Sequence, residues 1–238
     1  IGVQSFQNDL LKTMGRSHTS VQAKNCIDDS LQLGFSVSAD FIFGLPQQSI
    51  KMFLADLKNA LDLGVQHISF YGLTVEENTL FSQWEKKQSF SFDMDDYDVM
   101  YQEGVALVES YGLNRYEVSN FAQPGFESMH NSSYWNQVEY LGLGPGAHSY
   151  IKGKRYWNER HLKKWQDKTE FAGFEELTPA QKEWERLWLG LRQSDGVKGF
   201  PQNLLVKYPK SLYCNNDKTQ LVGRGWLELD LIMSEILP

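Results

Sequence analysis

Apolar residues recur with two different periods in the first third of the chain. Spacings of three and four residues predict helices capped by Thr19 and by Ser49, each ending at a glycine. Short apolar runs at 1–6, 35–43 and 67–71 predict strands between them. Strand–helix–strand units of this length form right-handed crossovers. The pattern therefore predicts an α/β fold with a parallel sheet.

The rest of the chain has a different pattern. A polar loop is predicted at 74–92, a helix at 93–111 and a short strand at 115–119, and further short strands separated by turns follow. Another strong helix starts at Thr178-Pro179 and carries Trp184 and Trp188, which we interpret as core packing. Helices around a small β-turn then predict a winged-helix-like module. The predicted domains are 1–113, 114–172 and 173–238.

Composition and charge restrict the class of protein. The 238 residues are 41% hydrophobic and 13% aromatic, enough for a packed core. A net charge of −7 argues against general binding to nucleic acid or to anionic membranes. No apolar run reaches the roughly 18 residues needed to span a bilayer, although peripheral membrane contact stays open. The chain opens without Met inside an apparent strand, so we expect further residues before Ile1.

Cysteine usage points to a reducing compartment. Cys26 and Cys214 lie far apart in the sequence, and neither has other Cys or His nearby at metal-ligand spacing. We therefore expect ordinary thiols, no metal ligands in this chain and a cytoplasmic location.

Polar residues occur at the predicted carboxyl ends of the strands, where ligands of parallel sheets collect. Gln4 follows the first strand, Asp40 lies in the second, and Tyr71-Gly72 closes the third. Each has an ordinary alternative: Asp40 could cap a helix, and Gln4 could be solvated. Arg16 could likewise be a cation at a helix end.

The densest chemistry lies between residues 130 and 149. The stretch His130-Asn131-Ser132-Ser133-Tyr134-Trp135 combines an imidazole with two aromatic rings, and a glycine-rich block ending in His148 follows it. Glycines let a backbone approach a ligand closely. The stretch thus predicts a binding surface, although a turn-rich hairpin with a core histidine is the alternative.

Four sequence blocks carry a family resemblance. They are IGVQSF at 1–6, GRSH at 15–18, ADFIFGLP at 39–46 and HNSSYW at 130–135. The chain resembles the radical S-adenosylmethionine (SAM) enzymes related to oxygen-independent coproporphyrinogen oxidase. The last block resembles their HemW-like branch, the haem chaperones. The resemblance covers nearly the whole chain.

The resemblance implies a partial (β/α) barrel with a mostly helical C-terminal extension. It also implies a set of cofactor-binding residues facing SAM, namely Gln4, Arg16, Asp40, Tyr71, Gly72 and His148. An Arg suits the ligand carboxylate, an Asp its hydroxyl or amino groups, and a Gln both donors and acceptors. The HNSSYW block supplies the haem or substrate candidates His130, Asn131, Tyr134 and Trp135.

One departure from the family pattern concerns the [4Fe–4S] cluster. Radical SAM chemistry needs a Cys-x3-Cys-x2-Cys loop, and this chain has only two cysteines. The resemblance implies that the cluster ligands lie ahead of Ile1. Three functions stay open: a haem chaperone delivering haem to an acceptor protein, an oxidase that decarboxylates two propionates of coproporphyrinogen, and a binding module without activity.

His130 is predicted to handle the ligand, because an imidazole suits ligation or protonation near haem at neutral pH. Tyr134 and Trp135 are predicted to cover the porphyrin face. The alternative is that His130 holds its loop through a backbone carbonyl.

Overall fold

A computed structural model describes residues 1–74, 81–82, 94–167, 170–223 and 225–236. The chain divides into two compact units, Ile1–Glu127 and Ser128–Pro238. Each unit has its own sheets and its own buried apolar residues. Within the described residues, no helix is long and apolar enough to cross a membrane.

The first unit contains one four-stranded sheet with helices packed against it. Its described elements are α1 (Asn8–Thr13), α2 (Ser20–Gln32), β1 (Ser38–Phe43), α3 (Ile50–Leu63), β2 (His67–Gly72), α4 (Met94–Ser110), β3 (Asn114–Arg115) and β4 (Asn120–Ala122). The strand order is β1-β2-β4-β3. β1 and β2 are parallel, as predicted, whereas β4 pairs antiparallel with both of its neighbours.

Local sequence signals explain where these helices begin and end. Thr19 forms a capping box with Gln22 at the start of α2, and the Ser49 hydroxyl accepts from the backbone of Met52 in α3. α3 ends at Gly64, whose φ of 90° lies in the left-handed region that glycine adopts without strain. The predictions for both helices are confirmed.

The sheet of the first unit has an apolar face and a polar face. Side chains on the apolar face form an aromatic cluster with those of the helices: Phe41, Phe43, Phe53, Phe70 and Phe121 are all nearly inaccessible. Phe70 is stacked on Phe121, with ring centroids 4.7 Å apart. Because successive strand residues alternate between faces, the residues between these phenylalanines point the other way. Those alternate positions are largely polar.

The second unit has two three-stranded antiparallel sheets and several helices. Its described elements are α5 (Met129–Trp135), β5 (His148–Ile151), β6 (Lys154–Trp157), α6 (Leu162–Gln166), β7 (Gly173–Glu176), α7 (Pro179–Leu191), β8 (Val197–Lys198), α8 (Gln202–Lys207), β9 (Leu212–Asn215), β10 (Lys218–Leu221) and α9 (Gly225–Ser234). β5-β6-β7 form one sheet and β8-β10-β9 the other. Thr178 caps α7 through a second capping box, as the sequence predicted for the start of this helix.

Several predicted elements differ from those observed. The opening strand is only a bridge between Gln4 and Phe41, and residues 115–119 belong to a short hairpin of β3 and β4. The alternative of a turn-rich hairpin is wrong for residues 130–135, because they lie in α5, which Ser128 caps. β7 was not predicted, since GFEE at 173–176 has little apolar pattern. The polar loop predicted at 74–92 lies mostly outside the described residues.

Candidate functional site

Gln4, Asp40 and Tyr71 meet on the polar face of the first sheet. The backbone N–H of Gln4 donates to the Asp40 carbonyl at 2.7 Å, which fixes Gln4 beside β1. The Tyr71 hydroxyl donates to Gln4 Oε1 at 3.3 Å. Gln4 adopts a φ of 66°, uncommon for a residue other than glycine. The structure thus brings three of the predicted cofactor-binding residues together.

Opposite charges act on this cluster. Burial raises the pKa of Tyr71, and the Asp40 carboxylate raises it further, whereas the Arg16 guanidinium and the Gln4 hydrogen bond oppose the shift. Arg16 is exposed and follows Gly15, and its backbone N–H donates to Leu11 at the end of α1. The site therefore offers an anionic and a cationic group around one phenol.

Gly72 lies beside this cluster at the end of β2. A Cβ atom at this position would overlap the hydroxyl group of Tyr97, a residue of α4. Only glycine therefore fits without displacing Tyr97, and the predicted role of the Gly72 backbone at the cofactor stays a prediction.

A partly buried chain of hydrogen bonds leads away from Asp40. The Ser38 hydroxyl lies 3.3 Å from Asp40 Oδ1 and 2.8 Å from His67 Nδ1. His67 Nε2 lies 2.7 Å from the Tyr116 hydroxyl. His67 is 4% exposed, and burial lowers its pKa, which the Asp40 charge opposes. Sequence analysis missed Ser38 and His67, although alternating polar positions in two strands were the available signal.

In the second unit, an aromatic row leads from the HNSSYW block to the glycine-rich block. His130 is exposed on α5, and its ring contacts Tyr134 edge-on with centroids 4.8 Å apart. Tyr134 contacts Tyr140 in the same way at 4.7 Å. α5 produces this row because residues four apart lie on one face of a helix.

Strand register places further side chains on the same sheet face as Tyr140. Tyr140 pairs with Tyr150, which pairs with Arg155, and cross-strand partners share a face. His148 is two residues before Tyr150 and therefore lies on that face too, with its ring 6.2 Å from the Trp157 ring. The face thus carries several aromatic rings and an exposed imidazole.

A cavity of about 160 Å³ opens on this face. Its lining residues are Tyr134, Gln137, Tyr140, Tyr150, Arg155, Glu185 and Leu189. Arg155 forms an ion pair with Glu185, which is largely buried, and another at 3.4 Å with Glu175. Burial raises the pKa of Tyr140, Tyr134 raises it further, and Arg155 opposes the shift. Tyr134 is therefore part of a polar, aromatic cavity.

The other two candidates of the HNSSYW block have different surroundings. The Arg192 guanidinium lies 5.5 Å from the ring centroid of Trp135 and 4.4 Å from that of Trp188. Trp188 in turn stacks on Trp184 with centroids 5.2 Å apart. Asn131 is half-buried, and its backbone N–H donates to the hydroxyl of the Ser128 cap.

The glycine-rich block is held by side chains of the neighbouring strands. Asn158 Nδ2 donates to the carbonyls of Gly142 and Gly144, at 3.3 and 2.9 Å. A Cβ on Gly142 would overlap the carbonyl of His148. Close backbone approach therefore explains this glycine without a ligand.

Metal ligands were not predicted in this chain, apart from the open case of His130. Cys26 lies in the first unit and Cys214 in the second, and both are exposed. Among the described residues, no group of three His, Cys, Asp or Glu side chains could hold a metal ion.

Comparisons with known proteins give the family. The chain is 35% identical over 234 residues to the haem chaperone HemW of Lactococcus lactis, covering 96% of this chain and 60% of that protein. It is 35% identical over 218 residues to HemW of Bacillus subtilis, covering 89% and 57% respectively. No protein-family model matches the chain. The chain spans about 60% of the length of these curated relatives.

A solved structure gives the fold. Coproporphyrinogen III oxidase (HemN) from Escherichia coli, described as a radical SAM enzyme, superposes with a TM-score of 0.79 at 18% identity. The superposition covers 99% of this chain and 62% of that one. The chain thus shares the fold of this radical SAM enzyme. The chain belongs to the family of the haem chaperone HemW. The resemblance found in the four sequence blocks is confirmed.

Proposed function

We propose that the protein at the length of its curated relatives, called the natural-length protein below, binds haem and delivers it to an acceptor protein. SAM would bind in its first unit. The observation that carries this proposal is the similarity to relatives named haem chaperone over nearly the whole chain. Because the chain spans about 60% of their length, the activity of the whole protein belongs to the proposal.

The polar sheet face of the first unit suits SAM. Asp40 would accept hydrogen bonds from ribose hydroxyls or from an amino group, and Gln4 would both donate and accept. Arg16 would pair with the ligand carboxylate. The fit is supported by the hydrogen bond between Tyr71 and Gln4 and by the charges of Asp40 and Arg16 acting on Tyr71. Gly72, next to Tyr71 in β2, belongs to the proposed set, whereas His148 lies in the second unit and its role at SAM stays a prediction.

The [4Fe–4S] cluster does not fit the residues of this chain. Its three-cysteine loop has no counterpart here, and Cys26 and Cys214 are in separate units. We propose that the cluster ligands lie elsewhere in the natural-length protein, and no step of the proposed function is assigned to the cluster.

The HNSSYW block of the second unit is the proposed haem-handling surface. His130 presents an exposed imidazole, a common axial ligand of haem iron. Tyr134 supports it edge-on and lines the neighbouring cavity. Trp135 and Asn131 are the other two residues of the proposed surface. The Trp135 ring also contacts the Arg192 guanidinium.

Finer features of the fold are also proposals. The parallel pairing of β1 with β2, together with the parallel bridge of Gln4 to Phe41 in β1, suits part of a (β/α) barrel. The β8-β10-β9 sheet with α7, α8 and α9 suits a winged-helix-like module. A cytoplasmic location suits two free, exposed cysteines.

The second candidate function is oxidative decarboxylation of coproporphyrinogen. The fold shared with the HemN oxidase favours it. A third candidate, a binding module without SAM chemistry, would use the second unit alone.

A haem titration of the purified natural-length protein tests the proposal. We expect a saturable Soret band and transfer of the bound haem to an apo-haemoprotein. Anaerobic reconstitution of the cluster, followed by a coproporphyrinogen assay, supplies the comparison. Oxidase turnover without saturable haem binding would contradict the chaperone function and support the oxidase.

A further inference from the structure

We infer that Ser38 and His67 are positioning residues. They hold the Asp40 carboxylate in the orientation in which it binds SAM. This inference rests on the proposed SAM site, because it concerns how one residue of that site is held. Neither residue was among the candidates from sequence analysis, and neither belongs to the four blocks of the family resemblance.

Strand register brings the three side chains together. Ser38 and Asp40 are two residues apart in β1 and therefore share a face of the sheet. Ser38 is the register partner of His67 in the parallel strand β2. Their contacts, 3.3 Å from the hydroxyl to Asp40 Oδ1 and 2.8 Å to His67 Nδ1, follow from this placement.

The direction of the hydrogen bonds follows from the number of protons. A serine hydroxyl has one proton, and a carboxylate can only accept. When Ser38 donates to Asp40, its oxygen must accept from His67, so His67 carries its proton on Nδ1. His67 Nε2 then accepts from the Tyr116 hydroxyl at 2.7 Å. All donors in the chain therefore point towards Asp40.

Burial supports this neutral tautomer. His67 is 4% exposed, and the loss of hydration lowers its pKa, so that the imidazole is neutral at pH 7. A neutral imidazole can donate at one nitrogen and accept at the other, as the chain requires.

A fixed carboxylate binds a ligand better than a rotating one. Asp40 is only half-buried, so its side chain would otherwise exchange between rotamers and hydrogen-bond to water. Holding it in the binding orientation removes an entropic cost from ligand binding. The alternative is that Ser38 and His67 only satisfy one another inside the sheet and contribute to stability.

A double-mutant cycle separates these two roles. SAM affinity is measured by calorimetry on the natural-length protein and on S38A, D40N and the double variant. We expect Ser38→Ala to weaken SAM binding about tenfold, as loss of an outer-shell partner does at ligand sites. In the Asp40→Asn background the same change should cost less than about twofold, because Ser38 acts through Asp40.

Two amide variants of His67 provide the matched pair. Asn places an N–H near the Nδ1 position, whereas Gln places one near the Nε2 position. We therefore expect His67→Asn to keep SAM affinity within about threefold and His67→Gln to lose about tenfold. Both variants remove the same buried ring, so their melting temperatures should fall together. Equal loss of affinity in both would overturn the inference.

The outcomes also separate this inference from the proposed function. If Asp40→Asn weakens SAM binding and Ser38→Ala does not, the positioning role alone is wrong. If the natural-length protein binds no SAM, or if Asp40→Asn leaves the affinity unchanged, both the SAM site and the positioning role are overturned.

Discussion

The two units carry their candidate sites on very different supports. In the first unit, Asp40 and Tyr71 project from strands, and hydrogen bonds to Ser38 and to Gln4 hold them. In the second, His130 is exposed on a seven-residue helix, and its ring contacts Tyr134 alone among the contacts described for it. A small polar cofactor gains affinity from fixed partners. A carrier that must release its ligand benefits instead from a binding group that is exposed and weakly restrained.

Burial accounts for this contrast. Under the polar face of the first sheet lies a cluster of phenylalanines that are nearly inaccessible. The rings on the face that carries Tyr140 and Tyr150 are half-buried or exposed, and its cavity contains the Arg155–Glu185 ion pair. The first support should therefore resist local opening more strongly than the second.

The largest expected effect comes from removing the centre of the first core. Phe70 is fully buried and contacts the rings of Phe43, Phe53 and Phe121. Phe70→Ala should lower the free energy of unfolding by about 3–5 kcal/mol, measured by urea denaturation. The control is Phe174→Ala in the second unit, at an exposed ring, with an expected change of about 0.5 kcal/mol or less. Similar losses in both variants would remove the contrast between the two supports.

The next effect concerns the site itself. Asp40→Asn keeps the shape of the side chain but removes the negative charge of the group that is proposed to accept hydrogen bonds from SAM. In the natural-length protein it should weaken SAM binding by about 1.5–3 kcal/mol, measured by calorimetry. The melting temperature should change much less. Parallel losses of affinity and melting temperature would make Asp40 a structural residue.

A smaller effect is expected at the base of the HNSSYW block. The Arg192 guanidinium contacts the rings of both Trp135 and Trp188. Arg192→Met should cost about 0.5–2 kcal/mol of stability through loss of these cation–π contacts. Arg192→Lys keeps the charge but loses planar stacking, so its cost should be intermediate. If thermal unfolding shows no loss in either variant, Trp135 does not use Arg192 as a support.

The smallest expected effect is a pH dependence of the folding stability that arises from His67. Burial lowers the pKa of His67 below its ordinary value of 6.5, so the unfolded chain takes up this proton at a higher pH than the folded one. The contribution of His67 to stability is therefore complete above about pH 6.5 and is lost as the pH falls towards the folded pKa.

Melting curves between pH 7.5 and 5, about the range in which histidines titrate, measure this dependence. His67→Gln is the control, since it lacks the titrating group while all other ionisable residues stay. The stability difference between the two proteins should shift in favour of the variant as the pH falls. A difference that is constant with pH would contradict a depressed pKa at His67.

Sequence patterns predicted the periodic elements and missed those that depend on tertiary context. Thr19, Ser49 and Thr178 were recognised as caps because capping is a local interaction. β7 was not recognised, because GFEE becomes a strand only by pairing with β6. The HNSSYW block forms a helix although Ser and Asn favour turns, since Ser128 supplies the cap.

The candidate sites also contain residues that local pattern predicts and residues that depend on tertiary context. Gln4, Asp40 and Tyr71 were predictable because parallel strands end at one edge of a sheet. The Ser38–His67–Tyr116 chain was not, because it depends on the pairing register of β1 and β2. Sequence alone also did not show that Tyr134, Tyr150 and Arg155 line one cavity.

We propose that SAM binds in the first unit and haem in the second. The most direct test is a crossed titration of the natural-length protein, in which SAM affinity and the haem Soret band are measured for Asp40→Asn and for His130→Ala. We predict that Asp40→Asn weakens SAM binding and leaves the haem spectrum unchanged. His130→Ala should shift the Soret maximum or weaken haem uptake, with SAM affinity and melting temperature unchanged. Loss of both ligands in either variant, or an unaltered haem spectrum with a destabilised fold in His130→Ala, would contradict this division.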